Sequence, residues 1–127
     1  MGGGAGTSRG GSRDLAGNLG RLATEFPATS GGYFGVPGSG GSSRVRTIES
    51  PDPVTTAGRF FSLAGKGGAM TTHKNGAVTV SSFGGRLRVV FRPRSSSDGS
   101  PVVEIYSQNL PGKHPAYQKI HLTRRNP

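Results

Sequence analysis

The chain has 127 residues, a hydrophobic fraction of 31%, 23 glycines, no cysteine and a formal net charge of +10. The absence of cysteine excludes disulfides and thiolate zinc sites. No apolar run approaches the roughly 20 residues that span a bilayer, and no signal-peptide core follows Met1.

The length fits one domain, and the glycines suggest that the packed part is shorter than the chain, about 75 residues. A basic surface of this density suggests a polyanionic partner, nucleic acid or an acidic protein. After Asp52 the only acidic residues are Asp98 and Glu104, while lysine and arginine continue to the end.

Residues 1–50 read as a Gly/Ser-rich linker or arm, partly disordered. Within them RDLAGNLGRLATEF (13–26) carries Leu15, Leu19, Leu22 and Phe26 at helical spacing. That marks a short helix weakened by Gly17 and Gly20. Residues 27–47 read as loop, with Tyr33, Phe34 and Val36 as anchors.

Residues 51–127 read as the compact domain. Asp52 is the candidate N-cap, Pro53 the first helical residue and Gly65 the stop, which predicts a helix over 53–64. Its apolar face is Val54, Ala57, Phe60, Phe61 and Ala64, with Leu63 beside it. AMTTHK, Asn75-Gly76 and AVTVSSF predict a hairpin on a type I′ turn. Gly84-Gly85 turns the chain into RLRVVFR. The loop RPRSSSDGSP leads to the strand VVEIYS, a second loop follows, and YQKIHLT is the last strand. The expected fold class is α+β: a helix packed on a small four- to five-stranded antiparallel sheet, preceded by a flexible Gly-rich arm.

Strand side chains alternate between two faces. Leu87, Val89, Phe91, Val103, Ile105, Ile120 and Leu122 then face the helix. The opposite face collects Arg88, Arg92, Glu104, Tyr106, Lys119, His121 and Thr123. That set suits metal-free RNA cleavage, which needs a base for the 2′-hydroxyl proton and an acid for the leaving 5′-oxygen. It also needs cations around the phosphorane-like transition state. His121 can serve as acid or base and Glu104 as its partner. Arg92 and Lys119 clamp the phosphate, and Arg88 and Arg94 extend the clamp. Ser95, Ser96 and Ser97 donate to phosphate oxygens, and Tyr106 stacks a base. His73, beside Lys74 in the hairpin, and His114 are further candidates for the second acid/base group, and His73 and Lys74 for RNA contact. Taken singly, each residue also has a plain reading as a surface charge, a cross-strand ion pair or a solvated loop. Three histidines with few carboxylates make a poor metal site, so no metal or other cofactor is expected.

The runs FFSLAGKGG (60–68), GAVTVSSFGGRLRVVFRPRSSSDGSPVVEI (76–105) and QKIHL (118–122) resemble the C-terminal toxin domains of bacterial polymorphic toxins. These include contact-dependent inhibition, Rhs and type VII secreted effectors. Several such domains are similar to ribonucleases of the barnase, colicin and RelE-like fold. The resemblance covers about residues 52–124 and rests on short motifs. It implies functional roles for Arg92, Ser95, Ser96, Ser97, Glu104, Lys119 and His121. It further implies delivery as the tail of a larger secreted protein, action in the target-cell cytoplasm, and a cognate, acidic immunity protein. Many ribonucleases of that fold carry two histidines or a histidine with a carboxylate pair. Here only Glu104 and His121 stand clearly on the expected face. The expected function is a metal-independent endoribonuclease acting on cellular RNA such as tRNA. The alternative is a non-catalytic basic RNA-binding or ribosome-associated protein. A DNase or nucleotide-modifying toxin is a third reading, and the metal cluster or nucleotide pocket it needs is not found in the sequence.

Overall fold

The computed structural model describes residues 11–38, 42–95, 99–108, 110 and 114–124. In chain order these form α1 (Ser12–Leu22), β1 (Val36–Pro37), β2 (Val45–Ser50), α2 (Pro53–Ala64), β3 (Ala69–His73), β4 (Val78–Ser82), β5 (Arg88–Arg92), β6 (Val102–Tyr106) and β7 (Tyr117–Arg124). The fold is α+β, as expected, but larger than the sequence suggested. The sheet has seven strands in the order β1-β2-β7-β6-β5-β4-β3. It is mixed, because β2 runs parallel to β7 while the other neighbours are antiparallel.

α2 forms where its caps placed it. Asp52 Oδ1 accepts the Thr55 backbone N–H at 3.3 Å, Pro53 opens the first turn, and Gly65 N–H closes onto the Phe61 carbonyl at 2.8 Å. Ala57, Phe60, Phe61 and Ala64 are buried against the sheet. Val54 departs from its expected face and is 55% exposed, because at about 3.6 residues per turn it falls on the flank of the face that Pro53, Ala57, Phe60, Phe61 and Ala64 bury. Phe60 packs against Phe26 and Phe34, with ring centroids 5.0 and 5.2 Å away, and Phe61 stacks on Phe91 at 5.6 Å. The β3–β4 hairpin is present, but its loop is wider than a two-residue Asn-Gly turn. His73 pairs with Val78, and Lys74, Asn75 and Gly76 all have positive φ.

The largest difference lies before residue 51. The core continues back through Ile48, Phe34, Phe26, Leu22, Leu19 and Leu15. Residues read as arm are therefore part of the folded body, and β2 lies inside the sheet between β1 and β7. Residues 1–10 lie outside the described residues. Two buried polar side chains tie this segment down. Gln118 accepts the Phe34 N–H at 2.9 Å and donates to the Gly32 carbonyl at 3.0 Å. Arg46 is 4% exposed and donates to the carbonyls of Phe34, Gly35 and Ser43. Its guanidinium also lies 4.9 Å from the Tyr33 ring centroid. Where β1 meets β2, Gly35 has φ +68, and a Cβ there would collide with the Thr47 carbonyl, so only glycine fits.

Gln118→Leu would leave the buried Phe34 N–H and the half-buried Gly32 carbonyl without their side-chain partner. A loss of about 2–4 kcal/mol is expected, read as a lower urea midpoint at unchanged m-value.

Candidate active site

β5, β6 and β7 turn alternate residues away from the helices, and their register fixes which of those meet. Three rows cross the strands: Arg92, Val102 and His121; Val90, Glu104 and Lys119; Arg88, Tyr106 and Tyr117. Val90 and Val102 form an apolar floor, 4% and 0% exposed. Period-two alternation thus brings Arg88, Arg92, Glu104, Tyr106, Lys119 and His121 onto one face. Thr123 shares that face but lies one row beyond His121, paired with Glu49 of β2.

Glu104 sits in the middle of this grid and is buried, 7% exposed. A buried carboxylate needs partners, and both of its oxygens have them. Oε1 accepts Arg92 Nε–H at 3.1 Å. Oε2 accepts the Tyr117 O–H at 2.7 Å, and the Tyr106 O–H points to the same oxygen at 3.5 Å. Burial pushes the Tyr117 phenol upward, and the hydrogen bond and negative charge of Glu104 add to that shift. Tyr117 therefore stays protonated as a permanent donor. Sequence reasoning passed over it, although it has the same strand parity as Lys119 and His121.

A cavity of about 540 Å³ opens over the carboxylate, lined by Lys74, Ala77, Val78, Arg92, Arg94, Ser95, Glu104 and Lys119. Four of these side chains are cationic and Glu104 is the one acid among them. A phosphodiester placed there meets positive charge on its rim and a carboxylate at its base. His121 does not itself line the cavity; it stands on the strand of the cavity-lining Lys119, diagonal to Glu104 across β6 and β7, a separation of about 7–8 Å between such positions. Its Nδ1 lies 2.8 Å from Ser100 Oγ, so the serine loop orients the ring. That loop is closed by Ser95 N–H to the Ser100 carbonyl at 2.9 Å and Gly99 N–H to the Ser95 carbonyl at 3.2 Å. Ser96 and Ser97, expected phosphate donors, lie outside the described residues.

Three expectations change. His73 is exposed on β3, three strands from β6, or about 14 Å at ordinary strand spacing. It bonds Thr71 Oγ1 at 3.0 Å, and only its neighbour Lys74 reaches the cavity. His114 lines a different cavity, with Leu19, Ala23 and Phe34, and burial lowers its pKa. Neither is brought to Glu104. Arg88 was read as a phosphate clamp, but its guanidinium lies 3.9 Å from the Tyr106 ring centroid and does not line the cavity. The Tyr106 ring in turn packs on Tyr117, centroids 4.8 Å apart.

Among the described residues, no three of His, Cys, Asp and Glu come together as a metal cage. No helix among them is long and apolar enough to cross a membrane. No known protein family, curated protein or solved structure matches this chain.

Proposed function

We propose that this protein is a metal-independent endoribonuclease that cleaves RNA through the substrate's own 2′-hydroxyl. The observation that carries this reading is Glu104: a buried carboxylate held at both oxygens, at the base of a cation-lined cavity, diagonal to His121. In the proposed reaction Glu104 takes the 2′-hydroxyl proton and the 2′-oxygen attacks phosphorus. The bond from phosphorus to the 5′-oxygen breaks, and His121 protonates that leaving oxygen. The products are a 2′,3′-cyclic phosphate and a 5′-hydroxyl. Arg92 and Lys119, with Arg94 and Lys74 on the rim, offset the charge that builds on the phosphate. The resemblance of residues 52–124 supplies the wider setting. There the domain is an antibacterial toxin delivered on a larger protein to the target-cell cytoplasm. Its substrate is cellular RNA, tRNA included, and an acidic immunity protein covers the basic cavity.

Total cellular RNA in excess EDTA tests the chemistry. Wild-type protein should yield fragments with 2′,3′-cyclic phosphate ends, and His121→Ala should slow their appearance by about 100-fold or more. Intact RNA with both proteins, alongside salt-sensitive binding, would replace the enzyme with the RNA-binding reading.

A further inference from the structure

We infer that Tyr117 is a positioning residue for Glu104, and that Tyr106 and Arg88 brace it. This inference rests on the ribonuclease reading. A glutamate side chain on a strand can rotate, and a base that rotates is aimed at its proton only part of the time. Here the two oxygens are held from opposite neighbouring strands, Oε1 by Arg92 of β5 and Oε2 by Tyr117 of β7. One carboxylate orientation satisfies both donors. The Tyr117 ring is itself fixed, because Tyr106 packs on it at 4.8 Å and the Arg88 guanidinium covers Tyr106 at 3.9 Å. The third row of the grid therefore ends on the carboxylate and not on the phosphate chain. Arg88, the arginine that composition alone would assign to RNA contact, belongs to this brace.

Tyr117→Phe keeps the ring and removes only the donor, so packing against Tyr106 and the fold are retained. The carboxylate then loses one of the two close donors that fix its orientation, while Arg92 still holds Oε1. The expected result is a fall in kcat of about 10- to 100-fold, the range for losing a hydrogen bond to a charged group. KM stays unchanged, a split that separates aiming of the base from binding of RNA. A second variant separates the brace from the clamp. Lys119→Met should reduce the salt slope of RNA binding by about one phosphate contact, whereas Arg88→Met should leave it unaltered. Unchanged kcat in Tyr117→Phe, or a fall in kcat matched by a rise in KM, beside an active wild type, would overturn the positioning role alone. A salt slope that falls in Arg88→Met would return that arginine to the phosphate chain. A wild type that cleaves no RNA would overturn the ribonuclease reading itself, and this role with it.

Discussion

Glu104→Gln is expected to lower kcat by about 10²- to 10⁴-fold while RNA affinity is kept or increased. The amide has the shape of the carboxylate but cannot accept the 2′-hydroxyl proton. Removing the acid from a cavity lined by Lys74, Arg92, Arg94 and Lys119 also removes a repulsion towards phosphate. The Arg92 side chain is 38% exposed, so its guanidinium keeps access to water when the ion pair is lost, and the fold should persist. Single-turnover cleavage and a binding titration on the same preparation separate the two effects. A purely RNA-binding protein would have no rate to lose and would only gain affinity. Full activity in this variant would remove Glu104 from the chemistry.

The second large effect concerns the boundary at residue 51. A fragment of residues 51–127 is expected not to fold. It lacks Leu15, Leu19, Leu22, Phe26, Phe34 and Ile48, all buried in the common core. Truncating one such side chain to alanine costs about 2–5 kcal/mol. The loss of all six, about 12–30 kcal/mol, matches or exceeds the 5–15 kcal/mol that ordinarily holds a domain of this size together. The fragment would also strip β2 from β7 and leave Gln118 facing no partner. Far-ultraviolet circular dichroism should show a largely unfolded chain with no cooperative melt. A cooperative transition in the fragment would mean that the first fifty residues only decorate the fold.

Those residues were hard to read for specific reasons. Gly17 and Gly20 dilute the helical signal of α1, although its leucines keep the spacing. In β2 the inward position that alternation reserves for an apolar residue is filled by Arg46, which the Phe34, Gly35 and Ser43 carbonyls and the Tyr33 ring make tolerable. Such compensation comes from distant backbone and leaves no trace in the local pattern. Where local signals agree, the elements were legible. Asp52-Pro53 and Gly65 bound α2, and the alternation in RVVFR, VVEIY and YQKIHLTR assigned both faces of the sheet. Most members of the candidate site were legible for the same reason, Tyr117 being the exception. Their mutual arrangement was not, because cross-strand register is set by turns and packing. Register pairs Glu104 with Lys119 and puts Tyr117 beside Tyr106, so that Arg88 faces a ring and not the cavity. His73 and His114 were candidates only as histidines near basic residues, and strand order separates the first from the site.

The most direct test of 2′-hydroxyl chemistry on this face uses an RNA oligonucleotide with one cleavage site, compared with the same molecule carrying a 2′-O-methyl group there. Wild-type protein in excess EDTA should cut the first, leaving a 2′,3′-cyclic phosphate, and leave the second intact although it binds both. Cutting of the methylated strand, or products with a 3′-hydroxyl end, would contradict the mechanism placed on Glu104 and His121.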